Sequence, residues 1–426
     1  MANMERFEYN GIGENLYRGM LPNGAAVAVL TKPGYSKSYA FFATNYGGAD
    51  RRFQLGGNWI DTPAGVAHFL EHKMFDTADG GNALAVLSAN GASPNAYTSS
   101  NITAYHFSST QGFEENLETM LGFVSIPYFT NESVEKEQGI IAQEINMIED
   151  NPGFVVYKNL LRCLYRYNPV RDSVAGSVES IAEISAQTLY DCHRVFYNPS
   201  NMILCVAGDV DPELVYDIAL RVLPTEPGEL PVRDYGEAEP ELPEQTRVST
   251  AMEVSAPLFI LGTRIEPEKG GDALLRQKLV GTLALQCLVG NSSPFYTRLY
   301  AEGLINENFD SGADFTAGTA MLMIEGESTA PDQVLEELKR ELAKVAADGL
   351  DSELFERQKR ALYGARLRGL GAFEGQCRSM ADGYFGGYCH LDAFDFINDI
   401  AQGEVTDYIV RNLAPEKLAM SIVTPK

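Results

Sequence analysis

The sequence predicts an α+β protein built from two similar domains. Three observations lead there. At 426 residues the chain is too long for one hydrophobic core. Leu223 to Gln245 holds five Pro and seven Asp or Glu with little periodicity, which reads as an interdomain linker. The order of strands and helices before that stretch recurs after it. The expected division is a domain at 1–222, an acidic Pro-rich linker at 223–245, and a similar domain at 246–426.

Along the first half, Leu16 to Tyr46 reads as strands, with Gly24–Leu30 and Ser38–Thr44 as short apolar runs between Gly and Pro punctuation. A loop then leads to a helix at His68–His72, with Thr62 and Pro63 as its N-cap and first residue. Ala83 to Ala89 is a short helix closed by Asn90-Gly91. Gly91 to Thr98 and Thr103 to Ser108 read as strands of one sheet, and Pro94 places the first at a sheet edge. Glu114 to Val124 is a helix. A longer one carries Glu137 and Glu144 and stops at Asn151-Pro152-Gly153. Tyr157 to Tyr165 and Ile181 to Phe196 continue as helices, with His193 expected on the surface. Met202 to Asp209 is a buried strand, and Pro212 opens a further helix.

The second half repeats this order. Val254 to Thr263 is a strand. Leu274 to Val289 is a helix where the His68–His72 helix would fall, and it contains no His. Phe309 to Glu325 gives two strands, Val334 to Ala347 and Ser352 to Leu370 are long helices, and Leu418 to Val423 is a closing strand.

Composition narrows the function. A chain 45% hydrophobic and 21% charged is ordinary for a globular protein. No apolar run reaches 18 residues, so no membrane helix is expected. The N-terminal segment Met1 to Glu8 has no apolar leader, which leads to the expectation of a cytoplasmic protein. A net charge of −25 excludes the basic footprint of a nucleic-acid binder. Six scattered Cys with no Cys-x-x-Cys spacing point to free, buried thiols.

The chemistry concentrates at His68 and His72. One turn apart on a helix, both imidazoles project from one face, with Glu71 flanking them. Two neutral imidazoles at this spacing can grip one Zn²⁺, and an adjacent carboxylate can take a proton from water. The spacing is His-x-x-Glu-His, the inverse of the commoner zinc-protease motif. Two of the chain's five His fall here. A catalytic zinc needs a third protein ligand, and the 131–150 helix offers candidates. Ile140, Ile141, Met147 and Ile148 set its apolar period, and Glu137 and Glu144, two turns apart, share the buried stripe. Glu135 and Glu149 lie off it and are expected to be solvated. His106 alternates with apolar neighbours and reads as structural.

His68-Phe69-Leu70-Glu71-His72 and the run Glu135-Lys136-Glu137-Gln138-Gly139-Ile140-Ile141-Ala142-Gln143-Glu144 resemble the pitrilysin/insulinase family of zinc peptidases, which includes the mitochondrial processing peptidase. The resemblance covers nearly the whole chain. It implies domains that are each a largely antiparallel sheet with helices packed on one face. It implies Zn²⁺ on His68, His72 and Glu144, Glu71 as general base, and Glu137 as a supporting acid beside the ligands. Asn95, Ala96 and Tyr97 match the family's substrate-holding strand, where an extended peptide adds to a sheet edge. The activity implied is that of a zinc metalloendopeptidase, a hydrolase acting on peptides or short unfolded segments.

One segment departs from the pattern. In Leu299-Tyr300-Ala301-Glu302-Gly303-Leu304-Ile305-Asn306, Tyr300 and Asn306 stand where the family often carries Arg and Tyr. Arg298 is nearby but out of register. The family works with four such domains around a closed chamber, and this chain supplies two. The resemblance therefore implies a homologous partner subunit, in a heterodimer, or a second copy in a homodimer. Two rival functions are a non-catalytic subunit of a peptidase complex and a dedicated maturation protease for one co-encoded peptide.

Overall fold

The computed structural model describes residues 3–78, 80–316 and 318–426. Met1 and Ala2, part of the N-terminal segment read above, and Ala317, inside the predicted strand pair, lie outside them.

Strands β1 (Glu5–Tyr9), β2 (Glu14–Met20), β3 (Ala26–Thr31) and β4 (Ser38–Thr44) precede a hairpin, β5 (Arg52–Leu55) and β6 (Asn58–Asp61). Helices α1 (Val66–Lys73) and α2 (Ala83–Ala89) lead to β7 (Ala92–Thr98) and β8 (Thr103–Ser109). Then come α3 (Phe113–Ser125), α4 (Asn131–Glu149), α5 (Pro152–Leu164), α6 (Val178–Ala182) and α7 (Ala186–Phe196). β9 (Met202–Gly208) and α8 (Pro212–Val222) close the first half. The second half opens with β10 (Arg247–Met252), β11 (Leu258–Ile265), α9 (Gly271–Val289) and α10 (Pro294–Ala301). β12 (Asp310–Thr316), β13 (Thr319–Glu327), α11 (Pro331–Asp348), α12 (Ser352–Gly369) and α13 (Phe373–Gly386) follow. α14 (Ala393–Asp399), α15 (Gln402–Asn412) and β14 (Ala419–Pro425) complete the chain.

The first sheet runs β1-β2-β3-β9-β4-β8-β7 and the second β10-β14-β11-β13-β12. Every pair in the first is antiparallel except β3–β9, and every pair in the second except β10–β14. The second sheet thus repeats the order and the single parallel pair of β3-β9-β4-β8-β7. This is the duplication expected from the sequence, now visible as strand order. β4 and β9 lie in mid-sheet, and all their residues are buried. That is why they read as unbroken apolar runs instead of alternating ones. β7 ends its sheet, as Pro94 foretold.

The chain folds as two compact units, and neither is contiguous. One gathers Met1–Ile145, Ser173–Tyr235 and Leu367–Phe385; the other gathers Asn146–Asp172, Gly236–Arg366 and Gly386–Lys426. α5 therefore belongs to the second sheet. Its Val155, Val156, Leu160 and Leu161 pack on Ile260, Met321 and Val423. The opposite face of those strands, through Phe259, Leu261, Leu322 and Ile422, packs on α9, α11 and α15. α5 approaches so closely that a Cβ on Gly262 would meet Leu160 Cδ2 at 2.8 Å. Reciprocally, α13 belongs to the first sheet: the Arg378 guanidinium lies 4.4 Å from the centre of the Tyr97 ring.

Several local expectations change. The 223–245 stretch has neither helix nor strand, but it is pinned down. Val232 O and Asp234 N bond the β5 strand at 3.0 and 2.9 Å, and Arg233 pairs with buried Asp50 at 2.8 Å. Beyond Gly236, Glu239 accepts the backbone N–H groups of Arg166, Tyr167 and Asn168 at 2.7–2.8 Å. The predicted helix from Ile181 to Phe196 is two helices, because Ser177 and Ser185 each form a capping box and start a new helix. His193 is buried, not on the surface, with Nε2 3.1 Å from Val124 O; burial pulls its pKa down to about 4. Glu149 is solvated as expected, its side chain 41% exposed, and it also pairs with Lys158 at 2.5 Å.

Candidate metal centre

α1 begins at Val66, not at Pro63, and no side chain caps it. Gly65 precedes it with φ 98°, a left-handed conformation open to glycine. A Cβ there would meet Ala175 O at 2.7 Å, so glycine is also demanded by packing. Phe69 and Leu70 face the core, fully buried. This anchors the helix so that His68 and His72 look out together, with ring centres 4.6 Å apart.

α4 brings the carboxylates. Its buried stripe is Val134, Ile141 and Ile145, while Ile140 and Met147, read as part of that stripe, are exposed. Burying three aliphatic side chains is worth ~1.5–3 kcal/mol each and fixes the helix rotation. Glu137 and Glu144 each follow a stripe residue by three positions, so they flank the buried face at its edge. Gln138 adds an anchor, donating to Ile184 O at 3.1 Å and Ala182 O at 3.4 Å.

The two helices converge. His68 Nε2 lies 3.5 Å from Glu144 Oε1, and His72 Nε2 lies 3.5 Å from Glu144 Oε2. One ligand atom from each of His68, His72 and Glu144 can be chosen so that all lie within 4.8 Å of one another. Two atoms each ~2.1 Å from a tetrahedral Zn²⁺ sit ~3.4 Å apart. The 3.5 Å separations therefore suit one ion shared by the three side chains, and a His₂Glu donor set is suited to zinc. All three are half-buried.

Supporting groups fix the set. His72 Nδ1 lies 3.1 Å from Glu137 Oε1, so Nδ1 carries the hydrogen when Nε2 offers its lone pair. His68 Nδ1 is buried and has no hydrogen-bond partner among the described residues. Glu71 is buried, and Thr98 Oγ1 donates to its Oε2 at 2.6 Å. Burial raises the Glu71 pKa, against the opposing pull of Thr98 and the two imidazoles. The Glu137 and Glu144 carboxyls are held below their usual range, chiefly by hydrogen bonds to His72 and His68 respectively. Burial pulls His72 down, yet the Glu137 bond and the charges of Glu71, Glu144 and Glu137 together raise it.

The structure thus gathers all five residues singled out on α1 and α4. Asn95, Ala96 and Tyr97 lie on the sheet-end strand β7, paired with β8 on one side only. Ala96 shares a strand face with Thr98, the side toward Glu71, while Tyr97 points the other way, under Arg378. The segment of the departure is engaged elsewhere. Arg298 binds Glu337 at 2.7 Å, Asn306 donates to Glu327 at 2.7 Å, and Tyr300 is exposed. His106 is structural, 2.7 Å from the Tyr39 hydroxyl. Two residues near the centre escaped sequence reading. Thr98 lies 27 positions from Glu71, with no spacing signal. Lys73 did leave a signal, a lysine in an apolar helical turn with Asp76 three residues on.

A half-buried His₂Glu set with a carboxylate beside it, on a duplicated antiparallel-rich fold, defines a candidate metallopeptidase centre. Residues 56–178 match the family described as Insulinase (Peptidase family M16), and residues 183–362 match the Peptidase M16 inactive domain. The chain belongs to the M16 peptidase family. It is 39% identical to an uncharacterized zinc protease of Bacillus subtilis, YmfH, over 98% of this chain and 99% of that one. The crystal structure of an M16-like peptidase from Alicyclobacillus acidocaldarius superposes with a TM-score of 0.92 at 31% identity, covering 100% and 99% of the two chains. Pitrilysin shares the fold with a TM-score of 0.78 at 17% identity, and this chain covers 47% of its length. His68, Glu71, His72, Glu137 and Glu144 fall in the segment matched by the insulinase description, not in the inactive-domain segment.

Proposed function

We propose that the chain is a zinc-dependent endopeptidase acting on peptides or short unfolded segments. The observation that carries this reading is the convergence of His68, His72 and Glu144 with Glu71 beside them. Zn²⁺ held there would supply Lewis acidity toward a peptide carbonyl and toward water. The chain's own residues do the rest. Glu71 accepts the proton of the attacking water at Oε1, the oxygen that Thr98 does not bind, and returns it to the leaving amine. Glu137 keeps His72 oriented. The open edge of β7, at Asn95, Ala96 and Tyr97, pairs with the extended backbone of the substrate. Such pairing holds a scissile bond without reading its side chains.

The reading includes a partner. Pitrilysin is about twice as long as this chain. The positions that would carry Arg and Tyr hold Tyr300 and Asn306, and Arg298 is already paired with Glu337. A homologous subunit would supply those groups; a homodimer would duplicate the zinc site without them. Cytoplasmic location also belongs to this reading. All six Cys are buried and none is in a disulfide, which suits a reducing compartment, and no helix among the described residues is long and apolar enough to cross a membrane.

The test is cleavage of a mixed peptide library by zinc-replete protein, alone and with any co-encoded homologue. Cleavage that needs the homologue and disappears in Glu71→Gln is expected. No cleavage in either arm would favour a non-catalytic subunit. Vigorous cleavage by the chain alone, indifferent to changes at Arg298, Tyr300 and Asn306, would remove the partner from the account.

A further inference from the structure

Lys73 follows His72 directly and is the most deeply buried charge at the centre, its side chain 2% exposed. A buried ammonium is costly unless it is paired. Two carboxylates meet it: Asp76 Oδ2, three residues on, and Glu137 Oε2 at 3.7 Å. The other Glu137 oxygen, Oε1, lies 3.1 Å from His72 Nδ1. Glu137 is thus held at both oxygens, by the imidazole on one side and the ammonium on the other. The terminal torsion of a glutamate is otherwise soft.

We infer that Lys73 is a positioning residue for the metal centre, fixing Glu137 and through it the ring of His72, so that Nε2 faces the ion. The inference rests on the zinc reading above and adds a residue to it. It matters because the grip is uneven. His68 has no hydrogen-bond partner at Nδ1 among the described residues, whereas His72 is held at Nδ1 by Glu137. Asp76 is 40% exposed and can be solvated on its own, whereas Glu137 is 17% exposed and depends more on its protein partners.

The experiment is a zinc-affinity titration against a competing chelator, with the folded state checked by circular dichroism. Lys73→Met keeps the bulk of the stem and removes the ammonium. It should weaken zinc binding roughly tenfold, the lower end of what groups behind a metal ligand contribute. Asp76→Asn should leave affinity within about twofold, because Glu137 stays clamped. In a Glu137→Gln background, Lys73→Met should add less than about twofold, since its route to the metal is gone. Should Lys73→Met not fold, the double change Lys73→Met/Asp76→Asn relieves the unpaired carboxylate and should show the same tenfold loss. Wild-type affinity in whichever of these two folds would overturn the inference. So would Asp76→Asn weakening zinc as much as Lys73→Met, which would make Lys73 a staple at the helix end. If the wild-type protein itself takes up no zinc, the metal reading fails and the inference with it.

Discussion

Helices α1 and α9 hold the same place in two sheets of the same strand order, α1 against β7 and β8, α9 against β12 and β13. α1 has eight residues, and its buried set includes the charged Glu71 and Lys73. α9 has nineteen, and its buried residues are aliphatic apart from Gly281 and Cys287. A polar side chain in such a cleft is tolerable only with partners. On the first sheet Thr98, Glu137 and Asp76 supply them. Around α9 the space goes instead to Leu275, Leu279, Leu283 and Leu288, packed into one core. The duplication therefore yields one half that sacrifices apolar burial for a site and one half that spends its helix on stability.

That contrast can be broken most sharply at Glu71. Glu71→Gln should retain zinc and lower turnover by ~10²–10⁴-fold, the span of general acid–base catalysis. Steady-state peptide cleavage with elemental analysis of the same sample checks it; normal turnover would deny Glu71 its role. On the other side, Leu283→Ala opens a cavity in a fully buried site of α9. It should cost about 2–5 kcal/mol in denaturant unfolding while leaving zinc per folded chain unchanged. Loss of zinc in that variant would show that the halves do not divide the labour as described.

A third prediction concerns His193, one of the buried histidines of the first unit that lie off the metal centre. His193 titrates near 4 in the folded protein, against ~6.5 unfolded. Its folded pKa is depressed, so below pH ~6.5 the unfolded chain binds the extra proton. Stability should fall as pH drops from about 6.5 to about 4, by up to ~3 kcal/mol from this group, and level off below. His193→Gln should remove that part of the slope, read as the difference between two urea-unfolding series across pH. Identical slopes would contradict it. The smallest effect expected concerns thiols. Three cysteines lie in each unit, all buried and none in a disulfide. Native protein should react slowly with a thiol reagent at both units alike, and denatured, unreduced protein should react about six times per chain. A count near zero after denaturation would mean disulfides.

Much of this was legible in the sequence because it is periodic. The i, i+4 histidines, the seven-residue step from Glu137 to Glu144 and the apolar runs of β4 and β9 are local patterns, and local patterns survive into the fold. β7 was legible as an edge because proline cannot serve a central strand. What escaped reading depends on contacts distant in sequence. The start of α1 is set by Gly65 against Ala175, not by the nearby Thr62-Pro63. The burial of His193 depends on Val124, 69 residues away. Ile140 and Met147 fit the period of α4 yet are exposed, because the helix rotation was fixed by Val134, Ile141 and Ile145. The exchange of α5 and α13 between units left no local mark, since each is an amphipathic helix that would suit either sheet.

In the proposed centre His68, His72 and Glu144 together hold one zinc ion. Elemental analysis of purified wild-type protein beside Glu144→Gln, after equal dialysis, tests it most directly. About one zinc per wild-type chain and a sharply lower content in Glu144→Gln is the expected result. A wild-type chain without zinc, or full occupancy in Glu144→Gln, would contradict it.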